Sequence, residues 1–336
     1  MSAALNQQVR LKARPTGIPQ PEHFEIVTAP VPALSDRQIL VRNEFLSVEP
    51  AMRGWVNAVA NYSEPVGIGE VMRSFAAGTV VASRHPDYRA GDRLMGMFGW
   101  QDFAVSDGAS VRRKVREADL PLSLSLGVLG LNGLTAYFGL IELGAPRPGD
   151  TVVVSTAAGA VGSAVGQIAK LMGCRTVGIA GGAVKTKLAR DAFGYDAAID
   201  YKGGDLAGGL AAACPRGVDV YFDNTAGAIS DAVLARLAVG ARVVVCGTAS
   251  VASWDPPPQG PRVERHLLVK RARMSGMLVF DYANRFEDAI ARLADWVRGG
   301  KLNYREEIRD GIEHCPGAIA ELYRGENLGK RLIRLG

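Results

Sequence analysis

Reactive side chains are scarce in this sequence, which holds four cysteines and four histidines in 336 residues. Cys174, Cys214, Cys246 and Cys315 are scattered, and no C-x-x-C pair presents two thiolates to one tetrahedral zinc. A structural zinc lobe is therefore excluded. Scattered cysteines in a chain of this length do not form a disulfide framework, and the segment Met1 to Arg10 lacks the apolar core of a secretory signal. The expectation is a reducing, cytoplasmic setting. None of His23, His85, His266 and His314 belongs to a metal-binding signature, so no metal is expected.

Charge of one sign is also nearly lacking. Lys and Arg number 39 against 34 Asp and Glu, a formal +5. The densest basic runs, Arg112 to Arg116 and Arg262 to Arg273, are short, whereas a nucleic-acid surface needs its charge gathered on one face. A small anionic ligand fits this modest excess better than a nucleic acid. Unbroken apolar runs are missing too. Leu120 to Ile141 and Thr151 to Ala169 carry no charge and approach the roughly 20 residues of a membrane span. The first is interrupted by Pro121, Gly127, Gly130, Gly133 and Gly139, and the second divides into a β-branched run, a glycine turn and a periodic stretch. Both read as buried elements, and no membrane partner is expected.

What the chain has in excess is glycine, 40 residues, against roughly 7% in ordinary proteins. With 48% hydrophobic residues the chain packs a core, and its length suits two domains. Before residue 120, short apolar stretches (Phe24 to Val27, Ile39 to Val41, Gly78 to Ala82, Arg93 to Met97, Phe103 to Val105) alternate with turn signals, the pattern of a barrel or sandwich. From Thr151, runs at Thr151 to Val154, Thr176 to Ile179, Ala197 to Ile199, Val218 to Phe222, Ala241 to Cys246 and Arg273 to Phe280 recur at the spacing of βαβ units in a parallel sheet. Helical stripes run through Val161, Ala164, Val165, Ile168 and Leu171, through Val233, Leu234, Leu237 and Ala238, and along Phe286 to Arg298. The terminal stretch Lys330 to Leu335 reads as a strand that must pair back with the N-terminal β region.

Between the first β-branched run and its helix lies Ala157-Ala158-Gly159-Ala160-Val161-Gly162, an A-x-G-x-x-G variant of the dinucleotide fingerprint. Gly159 lets backbone approach a pyrophosphate, Gly162 lets the helix pack close to the strand, and the helix N-terminus offers free N–H groups. An acid about 20 residues beyond these glycines would grip a ribose 2′-hydroxyl. No acid occurs between Gly162 and Asp191. The chain instead reads Gly181-Gly182-Ala183-Val184-Lys185-Thr186-Lys187, a roomy and cationic strand end that suits a 2′-phosphate. NADP(H) is the expected cofactor.

The segments Leu46 to Arg53 (LSVEPAMR), Gly133 to Leu140 (GLTAYFGL), Ala157 to Lys170, Tyr221-Phe222-Asp223-Asn224, Arg273-Met274 and Glu326 to Lys330 (ENLGK) together resemble the medium-chain dehydrogenase/reductase superfamily, nearly end to end. Within it the likeness is to the zinc-independent prostaglandin reductases, plant double-bond reductases and curcumin-reductase-like enzymes. The resemblance implies an α/β fold in which a Rossmann doubly wound parallel sheet, residues 127–299, is inserted in a GroES-like β-barrel catalytic domain, residues 1–126 plus 300–336. It implies a homodimer formed through the edge of the Rossmann sheet. It also implies conjugate reduction, with hydride from NADPH reaching the β-carbon of an unsaturated aldehyde or ketone. A quinone or carbonyl reductase is the alternative chemistry, and a non-catalytic NADPH- or RNA-binding protein the remaining one.

By motif, Gly159, Ala160, Val161 and Gly162 would hold the pyrophosphate, and Lys185 and Tyr201 the 2′-phosphate. Asn224, the turn of Cys246, Gly247, Thr248 and Ser250, and then Met277, Leu278, Val279 and Asn327 would complete the cofactor set. Tyr62 matches a tyrosine that the resemblance puts beside the substrate, as hydrogen-bond donor or acid. Ala51, Met52 and Arg53 would line the substrate pocket. Many relatives carry tyrosine where Ala51 stands, so an aromatic wall is lost and a wider pocket implied. Val269 replaces a second tyrosine, with His266 nearby as substitute donor.

Overall fold

A computed structural model describes residues 5–58, 63–251, 256 and 258–336. The chain divides into two compact units, residues 1–126 with 306–336, and residues 127–305. In the first, β1 (Leu5–Leu11) and β2 (Phe24–Pro30) form an antiparallel pair. A larger sheet takes β3 (Ile39–Ser47), β4 (Ala76–Ser83), β5 (Arg93–Gly96), β6 (Phe103–Ser106) and β7 (Val111–Lys114), and the one-turn helix α1 (Met52–Trp55) follows β3. The second unit runs through α2 (Leu131–Phe138), β8 (Thr151–Ser155), α3 (Ala160–Leu171), β9 (Arg175–Ala180), α4 (Ala183–Asp191), β10 (Ala197–Asp200), α5 (Leu206–Ala213), β11 (Val218–Asp223), α6 (Gly227–Leu234), β12 (Leu237–Val245), α7 (Val263–Lys270), β13 (Arg273–Gly276) and α8 (Phe286–Arg298). The chain then returns to the first unit as β14 (Glu306–Asp310), α9 (Cys315–Arg324) and β15 (Lys330–Arg334).

β3 organises the first unit. One edge pairs with β4, and the other is shared by β6, against Ile39 to Arg42, and β15, against Phe45 to Ser47. The division falls at Asn43, whose side-chain amide donates to Gln101 O at 2.8 Å while the register against β4 slips on either side. At that slip a Cβ on Gly78 would lie 2.1 Å from Arg42 O, so only glycine allows the approach. Trp100, fully buried, donates its indole N–H to Ser47 O. The return of β15 to β3 is the pairing expected of the terminal stretch. A closed barrel is not found: among the described residues the order β14-β15-β3-β4-β5-β7 has no pairing joining its ends. Both end strands are short and rich in charge (EEIRD and VRRK), a composition that blunts further pairing.

The second unit is a six-stranded, all-parallel sheet in the order β10-β9-β8-β11-β12-β13. Every residue of β8 is buried, as a strand covered on both faces requires. The order reverses between β8 and β11, the switch point at which such sheets open a crevice beyond the strand ends. Two expected elements change here. The helix through Val233, Leu234, Leu237 and Ala238 stops at Leu234, because Val218 N–H takes Arg236 O at 3.0 Å and starts the β11–β12 pairing at Leu237. The strand over Arg273 to Phe280 stops at Gly276, and a 3-10 turn then buries Val279 among Leu134, Phe138, Ala289 and Ile290. Among the described residues no helix is long and apolar enough to cross a membrane.

In the first unit, Glu306 accepts from Ser123 Oγ at 2.7 Å through one oxygen while the other is buried without a partner. Burial pushes its carboxyl above the usual range, against the opposing pull of the Lys330 charge. Below the unfolded value, about 4.3, Glu306 is protonated in both states and its contribution is intact; the contribution is lost as pH rises through the raised folded value. Glu306→Gln should therefore match the parent's stability near pH 4 and exceed it by about 1 kcal/mol at pH 8, read from urea melts at both pH values.

Candidate functional site

The densest convergence of candidate residues lies at the carboxyl ends of β8, β9, β11 and β12. After Ser155 the chain turns through Thr156, held at φ 52°, and Gly159 N–H closes on Thr156 O at 2.8 Å before capping α3. A Cβ on Gly162 would lie 2.3 Å from Thr156 O, so the first turn of α3 meets the strand exit at a distance only glycine permits. The same closeness recurs beneath the helix. Tyr195, fully buried in effect, fills the space a Gly166 side chain would need and donates its hydroxyl to Gly162 O at 2.6 Å. Gly159, Ala160, Val161 and Gly162 thus stand where backbone N–H groups and the positive end of α3 face outward from the sheet.

β9 ends at Ala180 and is followed by Gly181 and Gly182, the latter at φ 88°. Asp200, at the end of β10, accepts from Gly182 N–H at 2.7 Å and Lys202 N–H at 2.9 Å, and these bonds hold its carboxyl below the usual range. The fastening brings Tyr201 and Lys202 over Gly181, where a Cβ would lie 2.9 Å from the Tyr201 ring and 3.1 Å from Lys202 Cε. Lys185 follows in the first turn of α4. The corner is cationic, half-open and without an acid pointing from the strand end itself. Lys202 is a member the motif reading left unassigned; its signal was adjacency to Tyr201.

Across the switch point, Asn224 donates its side-chain amide to Ser155 O and its backbone N–H to Ser155 Oγ, both at 2.7 Å, tying the end of β11 to that of β8. Asp223, 2% exposed, sits behind this bridge. Its carboxylate accepts from the Tyr221 hydroxyl at 3.0 Å, from Thr225 and Ala226 N–H at 2.9 Å, and from the Thr225 and Ser230 hydroxyls. Its carbonyl takes Cys246 and Gly247 N–H, which seats the 246–250 turn beside Asn224, and Ser250 Oγ donates to Thr225 O at 2.8 Å. Burial pushes the Cys246 thiol up to about 12, so it is a packing group at neutral pH. Met277 N–H bonds Val245 O, Leu278 is partly exposed, and Val279 is a core side chain. His266 stands on α7, outside the bonds that join these strand ends.

In the first unit, Ala51 caps α1, Met52 is wholly buried, and Arg53 lies with its guanidinium 4.7 Å from the centre of the Tyr323 ring. Asn327 is buried and donates to Gly329 O at 2.8 Å. Tyr62, the expected donor, lies outside the described residues. Among the described residues no three His, Cys, Asp or Glu side chains gather as a metal ion would require; His23 and His85 instead accept from the backbone amides of Gln20 and Asp87.

Two family models match the chain, "N-terminal domain of oxidoreductase" over residues 7–113 and "Zinc-binding dehydrogenase" over residues 160–295. The donor set a zinc ion would need is not met by the described residues of this chain. The chain is 42% identical to the NADPH-dependent curcumin reductase of Escherichia coli (strain K12), over 98% of this chain and 97% of that protein. It is 36% identical to the 2-alkenal reductase (NADP(+)-dependent) of Nicotiana tabacum, over 98% and 97%. Among solved structures, CurA from Vibrio vulnificus in complex with NADPH superposes with a TM-score of 0.92 at 40% identity, covering 98% of this chain and 99% of that one.

The contact at Gly162 makes a direct test. Gly162→Ala forces a methyl against backbone that cannot swing aside, and should cost about 1–3 kcal/mol in chemical denaturation; an unchanged midpoint would mean that the turn has room to spare.

Proposed function

The chain belongs to the medium-chain dehydrogenase/reductase family, and from that premise we propose that it is an NADPH-dependent oxidoreductase that reduces the carbon–carbon double bond of α,β-unsaturated aldehydes and ketones. The observation that carries the reading is the pair of cradles in the second unit: the Gly159–Gly162 turn at the start of α3, and the corner of Gly181, Lys185, Tyr201 and Lys202, whose one carboxylate, Asp200, is engaged by the Gly182 and Lys202 amides. The first suits a pyrophosphate and the second a ribose 2′-phosphate, so the residues present fit NADP(H) better than NAD(H). Full-length relatives named for NADPH-dependent curcumin and alkenal reduction support the substrate class.

Bound NADPH supplies the hydride that such a reduction requires. The chain's own work is to bind, orient and handle charge. Lys185, Tyr201 and Lys202 hold the additional phosphate. Asn224 and the backbone of Cys246, Gly247, Thr248 and Ser250 line the groove beside the switch point, with Met277, Leu278 and the backbone of Val279 continuing it. As the substrate's β-carbon accepts hydride, negative charge collects on its carbonyl oxygen; a hydrogen-bond donor there lowers the barrier. Tyr62 is our candidate, its phenol donating to that oxygen, with His266 as a secondary candidate. Ala51 and Arg53 face the substrate, and Met52 supports them from the core. No step is assigned to a metal. We read the first unit as the family's GroES-like catalytic domain, supported by the return of β15 to β3. We read the molecule as a cytoplasmic homodimer, and the edge that β13 leaves unpaired among the described residues supports the dimer.

Three measurements check this. Mixed with NADPH and a panel of enals, enones and quinones, the protein should oxidise the nicotinamide and yield saturated carbonyl products; hydroquinone or allylic alcohol instead would redirect the chemistry, and no oxidation would remove it. Tyr62→Phe should lower turnover by about 10²-fold while NADPH affinity stays within about twofold, and undiminished turnover would take the role from Tyr62. Lys185→Ala should erode the preference for NADPH over NADH by roughly tenfold, the value of one charge-assisted contact; equal losses with both cofactors would place the lysine elsewhere.

A further inference from the structure

We propose that Lys330 is a positioning residue for the substrate: a buried cation on β15 that fixes the conformation of the segment carrying Ala51 and Arg53. The proposal rests on the reading above that this segment faces the substrate. Lys330 is 4% exposed. Its ammonium donates to Ser47 Oγ at 2.7 Å, to Val48 O at 3.0 Å and to Glu49 Oε1 at 2.7 Å, which uses all three of its protons. Ser47 Oγ donates in turn to Glu49 Oε1 at 2.6 Å, closing a triangle. Three consecutive residues are therefore gripped from one point, immediately ahead of Pro50.

That grip is transmitted. Glu49 O accepts Met52 N–H at 3.1 Å, Glu49 N–H points at Met52 Sδ at 3.5 Å, and Ala51 caps α1. With four residues, α1 cannot hold its own geometry; isolated helical turns are unstable in water. A second hold comes from α9, where the Tyr323 hydroxyl donates to Pro50 O at 2.8 Å and its ring lies beneath the Arg53 guanidinium. The segment is thus set by β15 behind it and α9 beside it, both contributed some 270 to 280 residues further along the chain. Stability alone does not call for an ion pair here, since apolar side chains of similar volume do as well or better in buried positions. What the charged contacts add is direction: they specify one backbone path for residues 47–49, and with it the place of Ala51 and Arg53.

The experiment compares the parent protein with Lys330→Met, Glu49→Gln, Glu49→Leu and Ser47→Ala. It reads kcat and KM for the enone the parent reduces best, NADPH affinity by nicotinamide fluorescence without substrate, and amide hydrogen exchange of residues 48–55. Lys330→Met should raise KM for the enone roughly tenfold or more, the scale of a small misplacement of binding groups, with NADPH affinity within about twofold and exchange of residues 48–55 faster. Glu49→Gln, which keeps an acceptor in reach of the ammonium, should lose less than Glu49→Leu. If folded Lys330→Met keeps the parent's KM and exchange pattern, or if KM and NADPH affinity worsen together, the positioning role is overturned. Should Lys330→Met fail to fold, Ser47→Ala and Glu49→Gln decide by the same criteria. A parent that reduces no enone defeats the proposed function and this inference with it, whereas an active parent with indifferent variants defeats this inference alone.

Discussion

The candidate site depends on a carboxylate buried behind the strand ends that form it. Asp223 gathers two backbone amides and several hydroxyls at a buried position, and a buried polar group of this kind is accommodated because its hydrogen-bonding capacity is engaged. In return it fixes the chain at the point where the parallel sheet reverses its order. Ala226 is held at φ 58°, Asn224 is turned toward β8, and the turn after β12 is pinned against the end of β11. Three strand ends thus share one hydrogen-bonded frame.

A different economy governs the approach of α3 to the sheet. Here rigidity comes from the absence of side chains: Gly162 and Gly166 bring helix backbone against the strand exit and the Tyr195 ring, and Gly178 makes room on the strand itself, where a Cβ would lie 2.6 Å from that of Ala157. The effect is to bring the positive end of the helix close to whatever the turn holds, which strengthens the interaction with an anion. Glycine in excess, the least informative fact about the composition, is thereby partly explained by contact distances.

Patterns of local origin were legible in the sequence. The fingerprint turn, the missing acid after β9, the helix Phe286–Arg298 and the terminal strand all follow from residues near one another in the chain, and the structure contains each of them. What failed depended on partners far away. The supposed helix through Leu237 became a strand because β11 captures it, and the strand past Gly276 became a turn because Val279 finds a hydrophobic cluster. A run of short strands suited a barrel or a sandwich and the resemblance implied a barrel, but among the described residues the two short charged end strands leave the sheet open. Asp223, Ser155 and Tyr195 carry no motif of their own: an acid, a hydroxyl and a phenol reveal their roles only when folding supplies the donors and gaps around them. Lys330 lies within the ENLGK motif, but its burial among Ser47, Val48 and Glu49 has no local signature.

The pairing of β15 with β3 has a bearing on how the protein is made. The second unit is one continuous stretch of chain whose sheet can assemble as soon as residues 127–305 exist. The first unit cannot complete its sheet then, because the edge of β3 at Phe45 to Ser47 has no neighbour until Leu332 to Arg334 has been synthesised. Through most of translation that edge and the segment after it are unfinished, a period in which an unpaired strand is open to wrong partners. Closing so long a loop is also slow. Assembly therefore has an inherent order, with the second unit first and the segment after β3 last.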